Sequence, residues 1–282
     1  FYEDMLHASM LGKHRDFGNY NKIVFCGIGG SEIPGEIVKC LNLKIPVLTA
    51  KQELPNCIDR KTLCIVISYS GNTKETIKLY NQVRKKTSKI LIVTSGGKLG
   101  NLKEKKILIP EDYIPRGALA YLLFPVLNVL KINYQECFKI IKNHDKEIRE
   151  KSRELAHELR HRIPVIYVSG ENLRCIGKRW TKELNENSKT FAHANFYPEV
   201  FHNEIEIHFN SHFFRILLYD REDKLSRKAS KMFNTHKVRL HGKSLIARII
   251  YGMYLGWWTS YYLAEISGIH YWTNNRIDEL KR

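Results

Sequence analysis

Short, continuous apolar runs recur along the chain, separated by longer stretches with helical spacing, and this alternation restricts the fold more than any other feature. The runs are IVFCG (23–27), PVLTA (46–50), CIVIS (64–68), ILIVTS (90–95) and ILIP (107–110), then VIYVS (165–169), FRILLYD (214–220) and VRLHG (238–242). They do not alternate apolar with polar, so each strand is expected to be buried on both faces, as in a parallel sheet between helix layers. Helices are expected over 31–41, 73–83 and the apolar stretch 118–132, which Pro125 interrupts. A mixed-charge helix is expected over 135–160, followed by one through Arg179 and Trp180 and a basic one before the last strand. The prediction is an α/β chain with two similar subdomains, 1–150 and 151–282, each a mainly parallel sheet flanked by helices.

Lysine and arginine number 46 against 29 acidic residues, a formal charge of +17. The basic residues are scattered over Lys85–Lys86, 103–106, 160–162 and 224–231 rather than forming one stripe, and no zinc-finger or RNP spacing accompanies them. No nucleic-acid partner is expected; the excess suits attraction of small anions. The six cysteines form no CxxC pair and several sit in apolar runs, so they read as buried free thiols in a reducing cytoplasm. The chain opens on Phe1 rather than methionine, so a short preceding segment is expected, and FYEDMLHASM lacks the pattern of a secretory signal. The apolar segment 244–266 contains Arg248, Glu265 and many tyrosines, which argues against a membrane span. Its Gly252 and Gly256, at GxxxG spacing, suit close helix packing or a subunit contact.

Two glycine-containing turns carry chemistry. Cys26-Gly27-Ile28-Gly29-Gly30-Ser31 stands between a strand and a helix, where backbone N–H groups can approach an anion. A dinucleotide site is disfavoured, because Glu32 occupies the third glycine position of GxGxxG and the second strand ends in Thr49-Ala50-Lys51 without an acid. The second turn, Ser68-Tyr69-Ser70-Gly71-Asn72-Thr73, again follows a buried strand and opens a helix. Helix capping alone would account for Ser70 and Thr73. Hydroxyls from Ser68, Ser70 and Thr73 beside a second glycine turn instead suggest a cradle for a monophosphate. No Lys follows in GxxxxGK[ST] form, which argues against a nucleoside triphosphate.

His157-Glu158-Leu159-Arg160-His161 fits HExxH but ends beside Arg162-Ile163-Pro164 with no evident third ligand. A charged helix end is the better reading, and no metal or cofactor is expected.

GIGGSEI (27–33), SYSGNT (68–73) and VTSGGKL (93–99) resemble the sugar isomerase (SIS) domain. Tyr113-Ile-Pro-Arg116, the segment 179–189 with Asn185-Glu186-Asn187, the segment 198–205 with His202-Asn203-Glu204, LAEI at 263–266 and IDELK at 277–281 resemble, in order, the archaeal bifunctional phosphoglucose/phosphomannose isomerases. The resemblance implies two SIS-type subdomains, a homodimer and metal-free interconversion of sugar 6-phosphates. Gly29, Gly30, Ser31, Ser68, Ser70 and Thr73 would bind the phosphate. Glu186 would move the proton between C1 and C2, and His202, reaching in from the partner subunit, would help open the ring. Lys281 would assist ring opening and Arg116 would stabilise the cis-enediolate.

The reaction asks for these residue types. One carboxylate can reach two adjacent carbons, histidine titrates near neutrality, and arginine supplies a fixed cation for the enediolate. Two positions depart from the family. Glu32 stands where glycine is usual, so an inward-pointing carboxylate would weaken phosphate binding. Asn274 takes the place of a threonine linked to accepting the mannose epimer, with Thr273 beside it, so the expectation is firmer for glucose 6-phosphate than for mannose 6-phosphate. A sugar-phosphate-binding SIS regulator is the alternative; such proteins commonly carry a helix-turn-helix segment, and none is evident before Ile23.

Overall fold

The computed structural model describes residues 1–273 and 275–281, which form two compact units, Phe1–Phe138 and Lys139–Arg282. In the first unit the order is α1 (Tyr2–Ala8), β1 (Lys22–Cys26), α2 (Ile33–Cys40), β2 (Val47–Ala50), β3 (Thr62–Ile67), α3 (Lys74–Val83), β4 (Ile90–Thr94), α4 (Gly97–Gly100), β5 (Lys105–Leu108) and α5 (Leu119–Val129). The five strands form one parallel sheet, ordered β2-β1-β3-β4-β5, with Val24 in register with both Leu48 and Cys64. Every residue of β3 is buried, as its unbroken apolar run requires. Cys26 and Cys64 lie inside this sheet; burial pushes the Cys64 thiol up to about 12 and the Cys26 thiol higher still, which leaves both unreactive. Helix α5 is buried along almost its whole length.

Helix α1 departs from the sequence reading, which placed no element before the first strand. It is short, with only Met5 and Ala8 buried, and packs on α5. Two residues are too few to register as helical periodicity.

Helix α6 (Gln135–Leu159) leads into the second unit, followed by β6 (Ile163–Val168), α7 (Arg174–Glu186), β7 (His193–Phe196), β8 (Phe213–Tyr219), α8 (Lys224–Met232), β9 (His236–Arg239), α9 (Leu245–Ile266) and α10 (Asn275–Lys281). Its four strands are again parallel, ordered β7-β6-β8-β9, which repeats the topology of the first four strands of unit one. Strand β7 was not foreseen: it is a half-exposed edge strand reading His-Ala-Asn-Phe, too polar to stand out. The long polar helix α6 carries ion pairs one turn apart, Asp145–Arg149 at 2.8 Å and Glu147–Lys151 at 3.2 Å.

Helix α9 is buried over most of its length. Its GxxxG glycines admit α7 within the same unit. Trp180, fully buried, donates its Nε1–H to the Gly252 carbonyl at 2.8 Å, which satisfies the indole's polar group. A Cβ at Gly256 would stand 2.4 Å from that Nε1, so close packing requires glycine there. No described helix is long and apolar enough to cross a membrane. Beyond the end of α6, His161 adopts φ +63, so it leaves the helix face of His157; Glu158 pairs with Arg162 at 2.7 Å. The HExxH spacing is therefore a helix terminus.

Candidate active site

In unit one the chain passes from β1 to β2 on one side and then to β3 on the other, so the strand order reverses between β1 and β3. Open α/β sheets take ligands in the crevice at such a point, outside the carboxyl ends of the strands. Both glycine-containing turns stand there. After β1, Gly29 adopts φ +65 and begins a short 3₁₀ turn over Gly29–Glu32 that runs into α2. A Cβ on Gly30 would lie 3.5 Å from the Pro115 carbonyl oxygen and 3.8 Å from the Arg116 Cα, so this turn rests against the backbone that carries Arg116. Arg116 itself is buried. After β3, the Ser68 Oγ and Thr73 Oγ1 are 3.0 Å apart. Thr73 is the N-cap of α3 yet makes no side-chain capping bond, so its hydroxyl serves the cluster. Ser70 is exposed, with its Oγ accepting from the Asn72 N–H at 3.3 Å, and the Ser31 Oγ accepts from the Tyr69 N–H at 3.3 Å. Structure thus brings Gly29, Gly30, Ser31, Ser68, Ser70, Thr73 and Arg116 to one end of one sheet.

Residues outside the predicted set hold this arrangement. The Tyr69 hydroxyl donates to the Glu111 carbonyl at 2.6 Å and accepts from the Tyr113 N–H at 2.8 Å, tying the β3 loop to the segment that leads to Arg116. Burial raises the Tyr69 pKa, so the hydroxyl keeps its proton to donate. Tyr113 in turn donates to Asp4 Oδ1 of α1 at 2.5 Å. The β3 and β4 loops meet at Gly71, where φ is +65 and a Cβ would come within 1.9 Å of the Gly96 carbonyl oxygen. Glu32 is buried, and its Oε1 lies 2.9 Å from the ammonium of Lys51 at the end of β2. The carboxylate that the sequence flagged thus stands beside a cation of its own.

In unit two, Glu186 is the last residue of α7 and half-buried. One turn before it, Arg179 and Glu183 form a buried ion pair at 2.6 Å; directly after it, the Asn187 amide donates to the Ser260 Oγ of α9 at 2.8 Å. Lys189, at φ +55 beyond the helix end, donates to the Glu186 carbonyl at 2.5 Å and to the Thr273 carbonyl at 2.6 Å. One ammonium thus joins two predicted site residues, Glu186 and Thr273, although no local pattern in the sequence links them. Asn274 lies outside the described residues, as does the side chain of Lys281, whose backbone ends α10.

His202, itself exposed, ends the 3₁₀ turn Glu199–His202, whose Val200 is buried. Two residues on, Glu204 anchors this segment to the sheet: its Oε1 accepts from Asn195 Nδ2 at 2.5 Å and lies 3.0 Å from His193 Nε2, while Oε2 accepts from the Tyr167 hydroxyl at 2.9 Å. Burial alone would raise the Glu204 pKa, but these three hydrogen bonds outweigh it and hold the carboxyl below its usual range. The Glu204 hydrogen bond raises the His193 pKa against the opposing effect of burial.

Residues 18–121 match the SIS domain, and residues 148–282 match the bacterial phospho-glucose isomerase C-terminal SIS domain. Over 94% of its length the chain is 34% identical to the bifunctional phosphoglucose/phosphomannose isomerase of Thermoplasma volcanium, covering 92% of that protein. It is 31% identical to the protein of the same name from Aquifex aeolicus over 90% of this chain and 87% of that one. The chain belongs to the bifunctional phosphoglucose/phosphomannose isomerase family. Its sequence relatives also include a protein named D-glucosamine-6-phosphate 4-epimerase from Sulfolobus acidocaldarius, at 31% identity over 90% of this chain and 85% of that one. Among solved structures, a hypothetical protein of Thermus thermophilus shares the fold with a TM-score of 0.76 over 99% of this chain and 85% of that one, at 15% identity. The family's two SIS domains correspond to the two parallel sheets described above.

Proposed function

We propose that this chain interconverts glucose 6-phosphate and fructose 6-phosphate, and also accepts mannose 6-phosphate, by metal-independent proton transfer through a cis-enediolate. The observation that supports this most is the cluster of Ser31, Ser68, Ser70 and Thr73 at the β1/β3 crevice with the Arg116 backbone against the same turn. A cluster of hydroxyls and N–H groups of this size suits one phosphate group.

Residues 1–150 supply the phosphate grip and Arg116; residues 151–282 supply the other catalytic groups. Lys281 and His202, the latter from the partner subunit of a cytoplasmic homodimer, open the ring. Glu186 removes the proton from C2 of the open-chain aldose, the electrons move toward the carbonyl oxygen, and the guanidinium of Arg116 stabilises the enediolate charge. Glu186 then returns the proton to C1 as the C2 hydroxyl gives up its proton to O1 and becomes the carbonyl, which yields the ketose. C2 is oxidised as C1 is reduced within one molecule, so the reaction needs no redox cofactor.

The test is a coupled assay with glucose, mannose and glucosamine 6-phosphates side by side. Turnover of glucose 6-phosphate to fructose 6-phosphate, unaffected by EDTA, is the expected result. Epimerisation of glucosamine 6-phosphate alone would assign the chain to the activity named in its Sulfolobus relative, and binding without turnover would make it a regulator.

A further inference from the structure

Unit two repeats the topology of unit one but closes the carboxyl ends of its strands with different chemistry. A cleft of about 480 Å³ opens there, at the ends of β8 and β9. Arg221 from the loop after β8, Arg239 at the end of β9, Lys243 from the following loop and Arg248 from the first turn of α9 all line it. One acidic side chain, Asp220, also lines it, and it is already engaged: its Oδ2 is 3.2 Å from Arg248 Nε and its Oδ1 accepts from the Ser169 hydroxyl at 3.2 Å. Glu222, two residues on, pairs with Lys237 at 2.7 Å. Burial holds the pKa of His241, on the cleft wall, below the ordinary value, so at neutral pH it contributes a neutral imidazole rather than another cation.

The cleft is braced. Arg248 Nη1 donates to the carbonyls of Gly242 at 3.2 Å and Lys243 at 2.8 Å, so the residue that closes the Asp220 loop also fixes the loop after β9. Arg221 and Arg239 reach the cleft from the loop after β8 and the end of β9, and like charges gathered in this way repel one another unless an anion sits between them. The volume lies within the range of small-molecule sites, and concavity separates it from the flat or striped basic faces that follow a nucleic-acid backbone.

This is not the phosphate grip, which belongs to unit one, nor the Glu186 end of unit two. Helix α9 runs from the cleft at Arg248 to Ser260, the partner of Asn187; those 12 residues of helix span about 18 Å.

We propose that the cleft binding Arg221, Arg239, Lys243 and Arg248 into one concave surface is a second anion site, which takes a compact small molecule bearing two or more phosphates. Arg221 and Arg239 grip the phosphates directly, and Arg248 shapes the wall.

The test uses inorganic tripolyphosphate as probe, titrated calorimetrically into the full chain at saturating fructose 6-phosphate, so that the unit-one grip is occupied. The wild type is expected to bind one equivalent. Arg221→Ala/Arg239→Ala should weaken this at least about tenfold while leaving isomerase turnover unchanged; both residues are exposed. Lys85→Ala/Lys86→Ala removes the same charge from an exposed part of unit one and should leave tripolyphosphate affinity as in the wild type. Equal affinity in the cleft variant and the wild type would overturn the site. Equal losses in both double variants would mean a diffuse charge effect, and loss of all binding on saturation with fructose 6-phosphate would mean that only the substrate grip binds polyphosphate. A single-stranded RNA that displaces the probe and binds more tightly at physiological salt would assign the surface to nucleic acid instead.

Discussion

Thr73 opens helix α3, yet its hydroxyl turns to Ser68 Oγ, 3.0 Å away, rather than to the helix N–H groups. An N-cap threonine ordinarily satisfies a backbone donor. Here that capping bond is not made, and two hydroxyls are held together at the carboxyl end of β3. Replacing Thr73 with Val keeps the shape and removes the hydroxyl, while Ser68→Ala does the same for its partner. A hydrogen bond to a charged group is worth about 1.5–3 kcal/mol, so each change should lower kcat/KM for sugar 6-phosphates by about 10- to 100-fold. Most of the loss should fall on KM, because the phosphate is gripped equally in the ground and transition states. Steady-state kinetics of the two variants, with melting curves matching the wild type, is the check.

The pairing of the two glycine-containing turns at one sheet end was legible because each follows directly on one strand, and the apolar strands before them announce a parallel sheet. The long-range contacts around the candidate site residues were not legible. Lys189 and Thr273 are 84 residues apart, and nothing in either neighbourhood signals the contact. Glu32 was visible as an anomaly, but its partner Lys51 lies on the far side of α2 and at the end of another strand. Strand β7 and helix α1 escaped for a related reason, since each buries too little apolar surface to impose a period on its own sequence.

Glu186→Gln should abolish the isomerisation while sugar-phosphate binding persists, since the amide cannot accept the C2 proton. General base catalysis contributes typically about 10²–10⁴-fold, which sets the expected fall in kcat. Lys189→Met tests positioning separately. It removes the ammonium that joins the Glu186 and Thr273 carbonyls, so kcat should fall by about tenfold with KM little changed. Solvent-proton exchange into the substrate distinguishes the two: it should vanish in Glu186→Gln and survive, slowed, in Lys189→Met.

The Glu32–Lys51 pair predicts an asymmetric double-mutant cycle. Removing Lys51 as Lys51→Met leaves a buried carboxylate without its counter-charge, which should cost about 1–3 kcal/mol, less than a fully buried pair because Lys51 is partly exposed. Adding Glu32→Gln to that variant removes the stranded charge and should restore much of the stability. Chemical denaturation of the wild type, both single variants and the double gives the coupling energy. A coupling near zero would show that the carboxylate is satisfied by other means.

The Glu204 cluster gives the segment bearing His202 a dependence on pH whose sign can be worked out. The His193 pKa is raised above 6.5 in the folded chain, so its contribution is complete below about 6.5 and is lost as pH rises through the raised value. Glu204 is depressed below 4.5, so its contribution is complete above about 4.5 and is lost as pH falls through the lowered value. Between these limits both hydrogen-bonded charges hold the segment 199–206 to β6 and β7. Amide hydrogen exchange over 199–206, corrected for the intrinsic rate, should therefore show the greatest protection near pH 5–6 and a decline toward pH 8. In His193→Ala the decline above about pH 6.5 should disappear, since no imidazole remains to lose its proton. In Glu204→Gln protection should be low throughout, because the group that gathers His193, Asn195 and Tyr167 no longer carries charge. Isomerase kcat should follow the same order if His202 acts from this segment. Exchange that is independent of pH in the wild type would mean that the cluster does not hold the turn.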